Sequence, residues 1–301
     1  MKNLIAILRL HIAMIAVMGA LTFGWLLTGR RLWAVAAIVG LDWLLVNLLN
    51  RISDVAEDVA NGIPAAAVAG RRRGTIAAAF AFLFAGSLAL THLLWPALTP
   101  WRVFMQAVGL MYSFKLVPTP RGRVRLKDVY FLKNFMSALG FVTTCFCYPL
   151  AMIDFHPLCG WPATIALIAY FVPFELTYEI LYDLRDVPGD RALGVPTYPV
   201  RHGEATTRTI VHALLAGSIA LLAAAFFAGV VGVRELLMAF GPIVQFFALR
   251  PLLRREPTAD DCIRVTDLGW GLLALYLLCT ALWIHAGLPA NLFLWKSVAS
   301  A

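Results

Sequence analysis

The chain has 301 residues, of which 61% are hydrophobic and only 14% charged, whereas soluble domains average roughly 45–50% apolar and 25% charged residues. This composition excludes a water-soluble globular protein, because too much apolar surface would face water. The net charge of +8 does not indicate a nucleic-acid partner, since the basic residues lie in short loops between apolar blocks. Anionic lipid headgroups or a phosphorylated substrate explain them better.

The apolar residues form long blocks, several of which reach the roughly 20 residues that a membrane-spanning helix needs. They predict an all-α integral membrane protein with a single domain over residues 1–301. Lys2 and Arg9 precede the first block, which lacks an A-x-A-like cleavage site and is interpreted as a retained span. The nine predicted spans lie near 4–28, 32–50, 75–95, 98–114, 133–151, 161–184, 206–228, 231–249 and 266–286.

The distribution of basic residues predicts the orientation of these spans. With the N-terminus in the cytoplasm, 20 of the 25 Lys and Arg residues lie on the cytoplasmic side. This bias agrees with the positive-inside rule. We therefore expect a multi-pass protein of the cell inner membrane whose acidic motifs, described next, lie at the cytoplasmic side.

The second predicted span ends in the first acidic motif, NRISDVAED, which contains Asn50, Asp54 and Asp58. Residues four apart on a helix share one face. A carboxylate in or near the bilayer costs roughly 2.5–3.5 kcal/mol or more, so a cation is expected to neutralise this cluster. The alternative is that the aspartates only cap or solubilise a helix end.

The loop between the fourth and fifth predicted spans is strongly basic. As an ordinary cytoplasmic loop it would need no functional explanation, and that interpretation stays open for each of its residues. Alternatively its cations bind a phosphorylated ligand. The candidate ligand-binding residues of the segment from 112 to 134 are Tyr112, Lys115, Arg121, Arg123, Arg125, Lys127, Lys133 and Asn134.

The sixth predicted span ends in a second acidic motif, YDLRDVPGDRALG, with Asp183, Asp186 and Asp190. Mg²⁺ prefers oxygen ligands and is usually held by one or two carboxylates plus substrate phosphates. The two motifs, four spans apart, predict two four-helix halves, with one further helix, whose acidic ends face each other across one cavity. Such motifs would hold a diphosphate through Mg²⁺ bridges, with Lys115, Arg121 and Arg123 as preferred donors to the leaving group.

Further acids lie deeper in the predicted spans. Asp42 precedes Asn50 by two helical turns, and Glu175 and Glu179 precede Asp183 at spacings of four. They would bind an acceptor hydroxyl or act as a general base, or pair with polar residues of a neighbouring helix. Aromatic residues near the motifs, Tyr182 among them, would stabilise a carbocation or simply form the core.

Together these motifs resemble the UbiA superfamily of intramembrane prenyltransferases. Asn50, Asp54 and Asp58 match its N-x-x-x-D-x-x-x-D motif, and Asp186 and Asp190 match its D-x-x-x-D motif. The stretch LRDVPGDRALGVPTYPVRHG is similar to the family's extended second signature. The segment from Tyr112 to Asn134 is similar to the family's Y-S, basic and K-N elements.

The resemblance implies a bundle of nine helices around a lipid-facing cavity. It also implies that Mg²⁺ bridges the aspartates to an allylic isoprenoid diphosphate, and that the prenyl group passes to an acceptor, often aromatic. A membrane terpene cyclase of the same superfamily is the alternative enzyme. A cation-coupled transporter is a third hypothesis, disfavoured because the acids gather at one end of the spans.

Overall fold

The computed structural model describes residues 8–63, 66–120 and 122–288 of the chain. Arg121, a predicted diphosphate contact, and Lys2 lie outside these residues. The described part consists of helices and one short β-hairpin.

Eight of its helices are long and apolar enough to cross a membrane, so the chain is a multi-pass membrane protein. Gly29, with a φ of 67°, ends the first of them in the left-handed region that glycine tolerates. The eight helices are α1 (Leu10–Thr28), α2 (Trp33–Ser53), α5 (Arg73–Leu94), α7 (Leu132–Ala151), α8 (Gly160–Arg185), α11 (Glu204–Phe227), α12 (Val233–Leu252) and α13 (Ala259–His285).

Shorter elements connect these helices. The β-hairpin pairs its two strands antiparallel, with Val117 opposite Val124. Besides two short 3-10 helices, Pro96–Leu98 and Leu126–Asp128, these elements are α3 (Val55–Ala60), α4 (Ala66–Arg71), α6 (Thr99–Ser113), β1 (Val117–Thr119), β2 (Gly122–Val124), α9 (Val187–Leu193) and α10 (Tyr198–His202).

Eight of the nine predicted spans correspond to the eight long helices, and α13 begins seven residues earlier than predicted. The remaining predicted span, 98–114, corresponds to α6, which has 15 residues. A helix of that length rises about 22 Å, less than the hydrocarbon thickness of a typical bilayer. The count of nine spans therefore stays a prediction.

The core lies where α1, α7 and α8 meet. Phe23 packs against both Phe146 and Phe171, with ring centroids 4.4 and 5.1 Å apart. At Gly19 an added Cβ would lie 2.8 Å from the Cys145 Sγ. Small residues allow such close contact between helices in a membrane, and here they bring α1 against α7.

A buried polar network ties α2, α5, α6 and α7 together. Arg102 donates to the Asp42 carboxylate at 2.6 Å and to Thr91 at 2.7 Å. Tyr148 donates to the same carboxylate at 2.8 Å, and Gln106 to the Asp42 carbonyl at 3.1 Å. Asp42 is therefore paired with polar residues of neighbouring helices, which was one of its two interpretations, and its carboxylate holds these helices together.

Candidate active site

The two acidic motifs have the same backbone arrangement. α2 ends at Ser53, and Asp54, with φ −101° and ψ 16°, joins it to α3. α8 ends at Arg185, and Asp186, with φ −92° and ψ 8°, joins it to α9. In each motif a long helix thus breaks at an aspartate and continues as a short one. The four-residue spacing of Asn50, Asp54 and Asp58 therefore runs across a break in the helix.

Helical backbone hydrogen bonds continue across the break in each motif. The N–H groups of Asp54 and Asp186 donate to carbonyls four residues earlier, at 2.9 and 3.0 Å. Those of Asp58 and Asp190 then donate to the carbonyls of Asp54 and Asp186, at 2.8 and 2.9 Å. The aspartates of each motif consequently stay on one side of the chain although the helix is interrupted.

The two motifs touch each other through α3 and α9. The Gly189 N–H donates to the Asn61 side-chain oxygen at 2.8 Å. A Cβ at Gly189 would lie 2.4 Å from that oxygen, so a side chain there would displace the Asn61 amide. The glycine of the second motif therefore lets Asn61 of the first motif make this contact.

Both motifs open on one cavity of about 200 Å³ between the long helices. We call the part bordered by Asp54 and Asp186 the motif end. The rest of the cavity wall is mainly apolar and aromatic. The charged residues that line the cavity are eight acids, Asp54, Glu57, Asp58, Glu175, Glu179, Asp183, Asp186 and Asp190, and four bases, Arg9, Lys127, Lys133 and Arg185.

In the first motif the carboxylates pair with lysine and arginine side chains. The Lys127 ammonium lies 2.6 Å from Asp54 and 2.5 Å from Glu57, and its side chain is only 2% exposed. Asp58 forms an ion pair with Arg51, and Arg9 lies 3.7 Å from it. Arg125 also bridges Glu57 and Asp128, at 2.9 and 2.7 Å. With that pair included, four cations face four carboxylates.

In the second motif one lysine bridges two carboxylates. The Lys133 ammonium lies 2.6 Å from Asp183 and 3.2 Å from Asp190. The Asn134 side chain donates to the other Asp183 oxygen at 2.8 Å, and Arg185 pairs with Asp186 at 2.5 Å. Three carboxylates thus face two cations. Burial raises the pKa of Asp190 to about 6, against the opposing effect of Lys133.

The carboxylates of the two motifs could serve as Mg²⁺ ligands only in pairs. Among the described residues no group of three or more His, Cys, Asp or Glu side chains is placed to hold a metal ion. Each lysine instead sits between two carboxylates, Lys127 between Asp54 and Glu57 and Lys133 between Asp183 and Asp190. Since Mg²⁺ usually takes one or two carboxylates together with phosphate oxygens and waters, each pair fits a Mg²⁺ site that a phosphorylated ligand would complete.

Most of the predicted site residues come together at this cavity. Asn50, Tyr112, Glu179 and Tyr182 line it beside the motif aspartates. Asn50 accepts a hydrogen bond from Ser113 at 2.8 Å. Asn134 is buried behind Asp183 and contacts the cavity only through it.

The basic residues of the 112–134 segment that were predicted as diphosphate contacts lie away from the cavity wall where the structure describes them. Lys115 and Arg123 are exposed and are not among the described residues that line the cavity. Lys115 follows α6, and Arg123 lies on β2 of the hairpin. The basic side chains of this segment that reach the cavity are Lys127 and Lys133, which follow the hairpin.

Sequence reasoning also missed two polar side chains at the motif end. Glu57 shares Lys127 with Asp54, and Asn61 contacts Gly189. The signal available was position: Glu57 stands one residue before Asp58, and Asn61 stands three after it. Because residues three apart also share a helix face, their spacing of three from Asp54 and from Asp58 could have indicated both.

A second, more apolar cavity of about 290 Å³ lies between α12 and α13. Tyr170, Phe174, Met238, Gly269 and Leu273 line both cavities. The Tyr170 hydroxyl donates to the Met238 carbonyl at 2.7 Å. The two cavities therefore adjoin across a wall of these five residues.

The fold and site define a membrane-embedded helical bundle whose apolar cavity ends in two facing acidic motifs. A sequence model of the UbiA prenyltransferase family matches residues 101–272. This match covers more than half of the chain, which therefore belongs to the UbiA prenyltransferase family, as the motifs predicted.

Individual relatives agree with this assignment. The digeranylgeranylglyceryl phosphate synthase of Methanopyrus kandleri is 30% identical over 154 residues, 50% of this chain and 54% of that protein. The chain thus spans about half the length of the curated relative it matches.

Two solved structures share the fold. A UbiA homolog from Archaeoglobus fulgidus bound to GPP and Mg²⁺ aligns with a TM-score of 0.66 at 16% identity, over 92% of this chain and 98% of that one. The apo structure of a UbiA homolog from Aeropyrum pernix K1 aligns with a TM-score of 0.63 at 15% identity, over 91% and 99%. At such low identity these likenesses show the fold alone.

Proposed function

We propose that the protein transfers a prenyl group from an allylic isoprenoid diphosphate to a lipophilic or aromatic acceptor within the membrane, using Mg²⁺. The observation that carries this proposal is the meeting of two acidic motifs at one end of a mainly apolar cavity. Eight carboxylates and four cationic side chains line that cavity. An excess of negative charge in a low-dielectric site favours binding of divalent cations, and the apolar wall suits a prenyl chain.

In this proposal six residues hold Mg²⁺ ions: Asn50, Asp54, Asp58, Asp183, Asp186 and Asp190. The bound metal would neutralise the diphosphate and weaken the C–O bond of the allylic carbon. The Asp54 and Asp186 side chains, at equivalent helix breaks, would orient the diphosphate from opposite sides. The A. fulgidus homolog, whose structure contains GPP and Mg²⁺, supports this assignment by its fold.

Lysine side chains have a further part in the proposed reaction. Lys127 and Lys133 would donate to the diphosphate oxygens once their carboxylates turn to the metal, and Tyr112 lies beside them in the cavity wall. As the C–O bond breaks, its electron pair leaves on the diphosphate, where these ammonium groups stabilise the developing charge. Lys115, Arg121 and Arg123 remain proposed contacts from the neighbouring loop.

The carbon centre formed would lie among aromatic side chains. Tyr182 and Tyr178 line the cavity next to Asp183, and the faces of such rings stabilise a cation by about 0.5–2 kcal/mol. The cavity excludes bulk water from this centre. The acceptor then forms a bond to the allylic carbon and loses a proton, whereas capture by the chain's own double bonds would make the protein a cyclase.

The same proposal includes the finer architecture. We infer one domain over the chain, with nine spans in two four-helix halves plus one and the N-terminus in the cytoplasm. The motif end would then face the cytoplasm, where diphosphates are made available. The basic residues of the loops support this orientation through the positive-inside rule.

The test is diphosphate release by the purified protein with Mg²⁺ and geranyl, farnesyl or geranylgeranyl diphosphate, with and without phenolic acceptors. We expect Asp54→Ala and Asp186→Ala each to lower release about a hundredfold or more. Asp260→Ala is the matched control, since Asp260 is exposed at the start of α13. Release that needs an acceptor identifies a transferase, release without one a cyclase, and release indifferent to both motif variants contradicts the proposal.

A further inference from the structure

The wall of the cavity carries a second pair of acids beyond the motif end. Glu175 and Glu179 lie one turn apart on α8 and both line the cavity. The Ser137 hydroxyl of α7 donates to Glu179 at 2.8 Å and lies 3.3 Å from a Glu175 oxygen. A hydroxyl has one proton and serves one oxygen at a time. The two carboxylates therefore share a single donor.

Glu175 has an oxygen that the protein leaves unsatisfied. The residue is 4% exposed, and its Oε2 has no hydrogen-bond partner among the described residues. A buried polar atom without a partner costs roughly 1–3 kcal/mol, and more when it is charged. Such an atom in a cavity wall indicates a ligand that donates a hydrogen bond to it.

The cationic side chains of the cavity are all paired with other acids, although Lys133 and Arg9 also act electrostatically on Glu179. Each of the four that line the cavity pairs with a motif carboxylate: Arg9, Lys127, Lys133 and Arg185. Glu179 stands seven residues before Asp186 and Glu175 eleven, which places them roughly 10 and 16 Å along the α8 axis from the helix break. An anionic group beside Glu175 would thus meet two carboxylates and no free cation.

Aromatic rings surround the pair and set the rest of the ligand's chemistry. Phe141, Phe171 and Trp43 line the same part of the cavity, and the Trp43 and Phe141 rings are 4.1 Å apart. The Trp43 N–H already donates to Thr144 at 3.1 Å. These side chains offer apolar contact area, so hydrogen bonding to the ligand falls to the carboxylates.

We infer that Glu175 and Glu179 form the acceptor subsite and bind the hydroxyl of an uncharged, hydroxyl-bearing acceptor such as a phenol, while rejecting anionic acceptors. The inference rests on the proposed function for the identity of the ligand as the prenyl acceptor. The acceptor hydroxyl donates to Glu175 Oε2, and Ser137 satisfies Glu179. A carboxylate or phosphate on the acceptor would face like charge, which costs binding energy in a dry site.

The test measures binding directly, without Mg²⁺ or diphosphate, by equilibrium dialysis of the detergent-solubilised protein against a micelle-only compartment. The probes are 4-propylphenol, its methyl ether 4-propylanisole, and 4-hydroxybenzoate. We expect the phenol to bind at least tenfold more tightly than either other probe. The ether lacks the donor, and the benzoate brings a negative charge to the carboxylate pair.

Variants separate the carboxylate pair from general hydrophobic binding. In the double variant Glu175→Gln and Glu179→Gln we expect the preference for the phenol over 4-hydroxybenzoate to fall below about threefold. Glu204→Gln is the matched control, because it makes the same chemical change in a half-buried residue at the start of α11 that pairs with Arg208 and does not line the cavity. It should keep the wild-type preference.

Three outcomes would overturn the inference: 4-hydroxybenzoate binding as tightly as the phenol, a preference unchanged in the double variant, or no binding of the phenol. A quaternary ammonium analogue that outcompetes the phenol would assign the pair to a cationic ligand instead. Diphosphate release is measured on the same preparation. Intact release without phenol preference contradicts this inference alone, whereas intact preference without Mg²⁺-dependent release contradicts the proposed function alone.

Discussion

The two acidic motifs share a backbone but not a charge balance. Both break a long helix at an aspartate, and both place a second aspartate four residues later. Three residues before each break, however, the first motif has Arg51 and the second has Asp183. Each motif thus has an arginine of its own, Arg51 or Arg185, and a lysine from the basic segment, but the second has an acid where the first has Arg51. The same fold element thus provides a neutral site on one side of the cavity and a negative site on the other.

The difference suggests a division of labour in the proposed reaction. The second motif, with three carboxylates and two cations, should bind the first Mg²⁺ ion. The first motif, already neutralised, should bind metal mainly when a diphosphate adds negative charge. The contrast to be tested is therefore between a neutral first motif and a negatively charged second motif.

The largest expected effect is on stability, through Asp183→Ala. The Asp183 side chain is 3% exposed and holds both Lys133 and Asn134. Its loss leaves a largely buried ammonium with fewer partners, which we expect to lower the free energy of unfolding by about 3 kcal/mol. Asp54→Ala should lower it less, by about 1 kcal/mol, because the buried Lys127 ammonium keeps Glu57 as a partner at 2.5 Å. Thermal unfolding in detergent compares the two, and equal losses would contradict the contrast.

The contact between the motifs is tested by Gly189→Ala. The added Cβ would lie 2.4 Å from Asn61, and overpacking of this kind costs roughly 1–3 kcal/mol. We expect Mg²⁺-dependent affinity for geranyl diphosphate to fall about tenfold. The double variant Gly189→Ala and Asn61→Ala removes the clash and should recover most of that loss. Without such recovery, the contact with Asn61 is not what positions α9.

A pH titration probes the second motif alone. The raised pKa of Asp190, about 6, means that its carboxyl holds a proton below that pH and is ionised above it. A proton competes with Mg²⁺, so metal affinity should fall roughly tenfold between pH 7 and pH 5. Isothermal calorimetry of Mg²⁺ binding measures this change. In Asp190→Asn the dependence over this interval should flatten, and an unchanged slope there would assign the titration to another group.

The smallest expected effect belongs to the exposed end of the basic loop. Lys115→Ala should change the KM for the diphosphate by less than about threefold, since solvent screens an exposed charge. Lys127→Ala should raise that KM about tenfold, because its ammonium lies at the cavity wall between two acids. Steady-state kinetics of the two variants compare them. A larger effect at Lys115 would show that the loop closes over the site when substrate binds.

Much of the fold could be predicted because membrane-spanning helices follow from long apolar blocks alone. The motif aspartates could likewise be predicted, since their four-residue spacing survives the helix break. The break itself could not, because Ser53 and Val55 carry no proline or glycine signal. Glu57 and Asn61 follow Asp54 and Asp58 by three residues, a spacing that also shares a helix face. The sequence places Lys127 and Lys133 in the same basic loop as Lys115 and Arg123. Only the position of the hairpin shows that the first two reach the cavity and the last two are exposed.

The central claim is that both motifs hold metal around one diphosphate, and Mn²⁺ can report its position directly. Crystals grown with Mn²⁺ and a thiolodiphosphate analogue of geranyl diphosphate, which does not ionise readily, would give anomalous difference peaks at the metal sites. We expect one peak beside Asp54 and Asp58 and another beside Asp183, Asp186 and Asp190, with the diphosphate between them. A bound analogue whose metal peaks lie away from either motif would contradict the account.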